Sequence, residues 1–238
     1  MAHQQFSLVP DFRAATLTVD HLKQLTEILQ SFHISSLQIT GSGRLRVAGI
    51  DHRLLHSLSQ ALQPLTTPVT ASWLTSLQAC PGQAGCRHGC GDGAALAARI
   101  EAIEPETALP AKIKIGIAGC PRCCTEPLVR DIGVIATPRG WKLCFGGNGG
   151  GRPRIADTIG TGLSEDQVIA LLRRCLEIYG RNSRPGMRTA RFLESFGLER
   201  FRQMLRGPND PKERGSGTPP EGMNSARLDP DQGNSPGT

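Results

Sequence analysis

The stretch Gly116-Ile117-Ala118-Gly119-Cys120-Pro121-Arg122-Cys123-Cys124 decides how the rest of the chain is read. Upstream, Lys112 and Lys114 alternate with Ile113 and Ile115 before the run turns wholly apolar, the pattern of a strand entering a core. The strand is expected over residues 112–118, and the Gly-Cys-Pro that follows must leave it abruptly, because proline cannot continue a ladder. Upstream of Cys120, across thirty-three intervening residues, stands a second pair, Cys80 and Cys86, with five residues between them. Pro81 and Gly82 follow the first of these, so both pairs sit on turns. Four thiolates presented from two turns, Cys80, Cys86, Cys120 and Cys124, suit an iron–sulfur cubane. Structural zinc is the first alternative, although its paired cysteines usually stand two to four residues apart. Buried inert thiols are the second, and they suit Cys144 and Cys175 in their apolar settings. Cys90 and Cys123 remain open as replacement ligands.

Outward from this centre the chain divides into three zones. Residues 1–70 are expected to form a ferredoxin-like half-domain in the order strand, helix, strand, strand, helix. Its parts are a strand over 15–19, a helix from an Asp20 cap to Phe32, strands at 36–40 and 44–47 around Gly41-Ser42-Gly43, and a helix after Asp51 carrying Leu54, Leu55, Leu58 and Leu62. Residues 71–206 form an α+β cluster-binding domain. Its strands at 131–136 and 141–145 flank Pro138-Arg139-Gly140, and its C-terminal helices begin at a Ser164/Gln167 capping box and resume over 187–205. Residues 207–238 are poor in apolar side chains and are expected to be disordered.

Composition narrows the class. Only 4% of residues are aromatic, so the core should be built from Leu, Ile, Val and Ala. The net charge is +6, and because the tail holds three basic and five acidic residues, the remainder carries +8. No basic block concentrates that charge and few aromatics exist for base stacking, which argues against nucleic acid and for small anions or a polyanionic cofactor. No apolar run reaches membrane-spanning length, and Met1–Asp11 has no leader pattern. Eight cysteines without a leader point to metal or redox chemistry in the cytoplasm.

With Ala79-Cys80-Pro81-Gly82, Cys86-Arg87-His88-Gly89, the Cys120–Glu126 segment, Asp131-Ile132-Gly133, Gly140-Trp141 and Gly146-Gly147-Asn148-Gly149-Gly150 in this order, the sequence resembles the siroheme- and [4Fe-4S]-dependent sulfite and nitrite reductases. Thr40–Arg46 resembles the strand-turn motif of that family's ferredoxin-like half. The resemblance implies a siroheme beside the cluster, with Cys124 shared between them. It implies anion contacts from Arg44, Arg46, Lys112 and Lys114, and cofactor contacts from Arg87, Arg122, Gly147, Asn148 and Gly149. The implied reaction is six-electron reduction of sulfite to sulfide, with nitrite to ammonia as the alternative. Precorrin-3B synthase shares the family's cluster motifs without siroheme chemistry, and an electron-transfer or regulatory iron–sulfur protein that has lost siroheme is a further alternative. No dinucleotide-binding fingerprint is present, so electrons would come from a protein donor such as a ferredoxin. Larger relatives carry two copies of the unit and this sequence carries one, so the site is expected either to be completed by a second chain in a homodimer or to be built differently.

Overall fold

The structure is a computed structural model and describes residues 6–13, 18–40, 44–65 and 72–206. Met1–Arg206 cluster into one compact unit. The strand expected over residues 15–19 is displaced. β1 is Phe6–Arg13, residues 14–17 lie outside the described set, and Val19 already opens α1 (Val19–Ser31). Thr18, not Asp20, is the N-cap: its side chain accepts from the His21 amide while His21 reaches back to the Thr18 amide. Threonine has the short oxygen the cap needs, and Asp20 falls in the first turn, where its charge favours the helix dipole. β2 (Ser36–Ile39) and β3 (Arg44–Ala48) follow, with the Gly41–Gly43 turn outside the described residues. Asp51 caps a 3-10 turn that leads into α2 (Leu55–Leu62). Leu55, Leu58 and Leu62 are buried and Leu54 faces solvent. The sheet order is β1-β3-β2 with both pairings antiparallel, which leaves β1 and β2 parallel on either side of β3. That is the split strand–helix–strand of a ferredoxin-like half. Leu25, Leu45, Val47 and the α2 leucines form its own cluster.

A second sheet, ordered β4-β5-β6-β7-β8, carries the cysteines. β4 (Leu74–Ala79) crosses through α3 (Gly93–Glu101) to β5 (Ile113–Ala118), and β5 pairs parallel with both β4 and β6 (Ile132–Thr137). β7 (Gly140–Phe145) and β8 (Asp157–Leu163) complete it antiparallel. Lys112 precedes the strand it was expected to begin. The helices α4 (Glu165–Asn182), α5 (Thr189–Phe196) and α6 (Leu198–Arg206) close one face, and the Ser164/Gln167 capping box forms at the start of α4. That face buries Ile113, Ile115 and Ile117 against Leu96, Ile100, Leu172 and Leu176. The core departs from the aliphatic expectation. Trp73 and Trp141 are buried in it, and four other aromatics gather where the helices dock, with Phe145 stacked on Phe201 at 5.0 Å and Tyr179 edge-on to Phe192 at 5.4 Å. Residues 207–238 lie outside the described residues, and so does the expectation of disorder placed on them.

Asp131 ties these layers together. It is 1% exposed. Its carboxylate accepts from the Lys114 amide at 2.8 Å, the Thr189 hydroxyl at 2.7 Å and the Arg188 guanidinium, so β5, β6 and the α5 start share one buried anion. A charge at that depth persists only with such partners.

Candidate metal centre at the strand ends

Parallel strands end at the same edge of a sheet, and β4 and β5 end in Cys80 and Cys120. The Cys80 amide donates to the Ile117 carbonyl at 3.1 Å, continuing the ladder by one step. The Gly119 amide donates to Cys80 Sγ at 2.9 Å. This contact fixes the Cys80 sulfur at the end of β5. The loop after Cys80 then folds back on β5: the Cys90 and Gly91 amides both donate to the Gly119 carbonyl, at 2.6 and 3.2 Å. So close is this approach that a Cβ on Gly119 would lie 2.4 Å from the Gly82 Cα. Cys86 is exposed on that loop and Cys124 is exposed on the turn after Cys120.

Cys123 takes another direction. Its backbone is left-handed, with φ at 56°, and its thiol packs with Leu128 against Ile135, Cys144 and Ala156. Burial pushes the Cys123 thiol up, and the nearby Lys142 ammonium pulls against it. Burial likewise raises the Cys144 thiol, and that of Cys175 more strongly, as befits packing sulfurs. Cys90 is half-buried, with its Sγ 3.7 Å from the His88 carbonyl.

Among the described residues no three His, Cys, Asp or Glu side chains gather closely enough to hold a single metal ion. A cubane asks for a looser set, since each thiolate takes its own corner iron. Two thiols at adjacent strand ends and two exposed on flanking loops fit that donor set. Arg87 and Arg122 are exposed beside Cys86 and Cys120 and meet no carboxylate among the described residues; Arg87 Nε donates to His88 Nε2 at 3.1 Å. Guanidiniums so placed suit a group bearing several carboxylates.

The other candidates are placed less simply. A Cβ on Gly147 would sit 2.3 Å from the Arg130 carbonyl, so the protein's own backbone requires glycine there. Asn148 Nδ2 donates to the Arg152 carbonyl at 2.6 Å, and the Asn148 and Arg154 backbones exchange two hydrogen bonds. These two residues close their own loop, while Gly149 is exposed on it. Lys112 and Lys114 stand at the opposite end of β5 from Cys120, roughly 20–25 Å away at the rise of a strand. The chain therefore does not bring its lysine pair to its own cysteine edge. Arg44 opens β3 in the other sheet, and Arg46, half-buried there, donates to Gln38 at 3.4 Å.

A residue outside the candidate set lies closer. Ala118 of β5 pairs with Ile135 of β6, which pairs with Lys142 of β7. Lys142 is thus in register with the last residue of β5, on the face that carries Cys144. The alternation Trp141, Leu143, Phe145 against Lys142 and Cys144 was the available signal, and it reads equally well as a solvated strand face.

Together the fold and this edge define a class: a thiolate-rich redox domain on an α+β scaffold. Residues 70–210 match the family described as the nitrite and sulphite reductase 4Fe-4S domain, and the chain belongs to it. It is 34% identical over 202 residues to an assimilatory-type sulfite reductase of Nitratidesulfovibrio vulgaris, covering 85% of this chain and 93% of that protein. It is 32% identical over 193 residues to a nitrite reductase (NADH) large subunit of Escherichia coli, covering 80% of this chain but 23% of that protein. Among solved structures, dissimilatory sulfite reductase I aligns with a TM-score of 0.69 at 12% identity over 87% of this chain and 71% of that one. The Mycobacterium tuberculosis NirA protein aligns at 0.65 and 17% over 86% and 41%. These two likenesses establish the shared fold. The protein is an oxidoreductase of the sulfite/nitrite reductase type, and the cofactors its family implies are a [4Fe-4S] cluster and siroheme. Among the described residues no helix is long and apolar enough to cross a membrane.

Proposed function

We propose that the chain reduces sulfite to sulfide, with Cys80, Cys86, Cys120 and Cys124 as the cluster ligands. The observation that carries this reading is the length of the match: 93% of an assimilatory-type sulfite reductase, against about a fifth of the nitrite reductase large subunits. Six electrons and six protons convert hydrogen sulfite into hydrosulfide and three waters, and a protein donor such as a ferredoxin would supply the electrons. When bound, siroheme supplies the iron that takes up substrate, and the cluster supplies electrons one at a time. The chain's own part is to hold the thiolates on the strand ends and to balance charge. Arg87 and Arg122 would meet cofactor carboxylates, with Gly149 offering open backbone nearby. Arg44, Arg46, Lys112 and Lys114 would hold the substrate oxygens and pass protons as each leaves as water. Since the lysines lie at the far end of β5, they would serve the cluster of a second copy of the chain. Loss of one charge-assisted contact of about 1.5–3 kcal/mol should lower kcat/KM for sulfite roughly ten- to a hundredfold. Turnover with viologen-reduced protein, scoring sulfide against ammonia, tests the substrate. Ammonia formed from nitrite at a higher kcat/KM than sulfide from sulfite would make nitrite the substrate.

A further inference from the structure

We propose that Lys142 is a tuning residue whose fixed positive charge raises the reduction potential of the cluster at the cysteine edge. The inference rests on the four-thiolate assignment above, and it goes beyond it in naming what sets the potential. Three observations carry it. The ladder Ala118–Ile135–Lys142 places Lys142 two strands from the end of β5, on the order of 10 Å from the residue two before Cys120. Lys142 is partly buried, so water screens its charge incompletely. Among the described residues no carboxylate pairs with it, whereas the other charges on this face are engaged or distant. The Asp157 carboxylate is taken by Arg154, Arg130 is held by Gln78 and Glu126, and Lys114 lies toward the far end of the sheet. Cys123, on the turn between Cys120 and Cys124, packs against Ile135, the cross-strand partner of Lys142, and against Cys144 of β7.

Reduction adds one electron, and so one negative charge, to a cluster whose four thiolates already make it anionic. A nearby cation stabilises the reduced form more than the oxidised one. A charge about 10 Å from a cluster, at an effective dielectric near 20, shifts that equilibrium on the order of tenfold, which for a one-electron couple is ~59 mV. Arg122, exposed to solvent, is screened and contributes less.

The test is an anaerobic titration of the full chain, with titanium(III) citrate as the electron source and viologen mediators. It follows the reduced cluster's paramagnetic signal, normalised to cluster present so that partial loading does not distort the result. The expected outcome is that Lys142→Met holds about a tenth of the wild-type ratio of reduced to oxidised cluster at a fixed potential, while Lys142→Arg tracks the wild type. Coincident curves for Lys142→Met and wild type would overturn the proposal. So would equal shifts in Lys142→Met and Lys142→Arg, which would mark a packing effect. No substrate enters the titration, so a failure of sulfite turnover leaves its reading intact.

Discussion

Cys123 and Cys124 adjoin in the chain and meet opposite surroundings. The left-handed backbone at Cys123 turns its thiol in among Ile135, Cys144, Ala156 and Leu128, and leaves Cys124 exposed. Replacing Cys124 with Ser should abolish cluster iron and labile sulfide, because metal binding at such a site is coupled to folding. Replacing Cys123 or Cys144 with Ser should leave iron per chain unchanged at a modest cost in stability. Iron retained in Cys124→Ser and lost in Cys123→Ser would reverse the assignment within the turn. Spacing alone could name the cysteine-rich turn but could not choose between neighbours, because the choice lies in one backbone dihedral and in side chains from β6 and β7. Lys142 escaped the sequence for a similar reason. What sets it apart from any other lysine on a strand is a register across three strands, and only the assembled sheet contains that register.

Elements were legible where their signals were local. The Ser164/Gln167 box starts α4, the alternation before Cys120 gives β5, and Pro138-Arg139-Gly140 sits at the β6–β7 hairpin. Three elements went unread. α3 had a signal in Asp92 capping Leu96, Ala97 and Ile100, but the glycines around it read as loop. β4 is interrupted by a register shift after Leu74, which breaks the alternation a strand shows. β8, with Gly160 and Gly162, has weak strand propensity and owes its conformation to pairing with β7. The link that holds these layers in place was equally hidden, since Asp131 and Arg188 stand 57 residues apart in sequence. Asp131→Ala should strand the Arg188 guanidinium, the Thr189 hydroxyl and the Lys114 amide together. A loss of about 3–5 kcal/mol is expected, read as a lower denaturant midpoint. Because Asp131 lies at the end of the sheet away from the cysteines, iron per folded chain should stay unchanged. A stability loss under about 1 kcal/mol would show that the helices are held by their aromatic contacts alone.

At the scale of the whole molecule, one fact organises the rest: β5 separates the lysine pair from the cysteines by its own length. A single chain can build the cluster edge and can build a basic edge, but a rigid strand cannot fold the two together. The proposed site therefore calls for two chains, each lending its Lys112 and Lys114 to the other's cluster. Mixing a Lys112→Ala/Lys114→Ala chain with a Cys124→Ser chain tests this arrangement. The first parent has clusters without lysines to serve them, and the second has lysines but no cluster. In a mixed dimer one of the two sites regains both, so sulfite turnover should rise well above that of either parent. The rise should follow the fraction of mixed dimers, counted by separate affinity tags on the two chains. Tagged mixed dimers without recovered turnover would show that each chain's own pocket is sufficient. Full activity from wild-type protein that sediments as a monomer at assay concentration would show the same. In that case the cations serving substrate must come from the cysteine end of the sheet, where Arg87, Arg122 and Lys142 already stand.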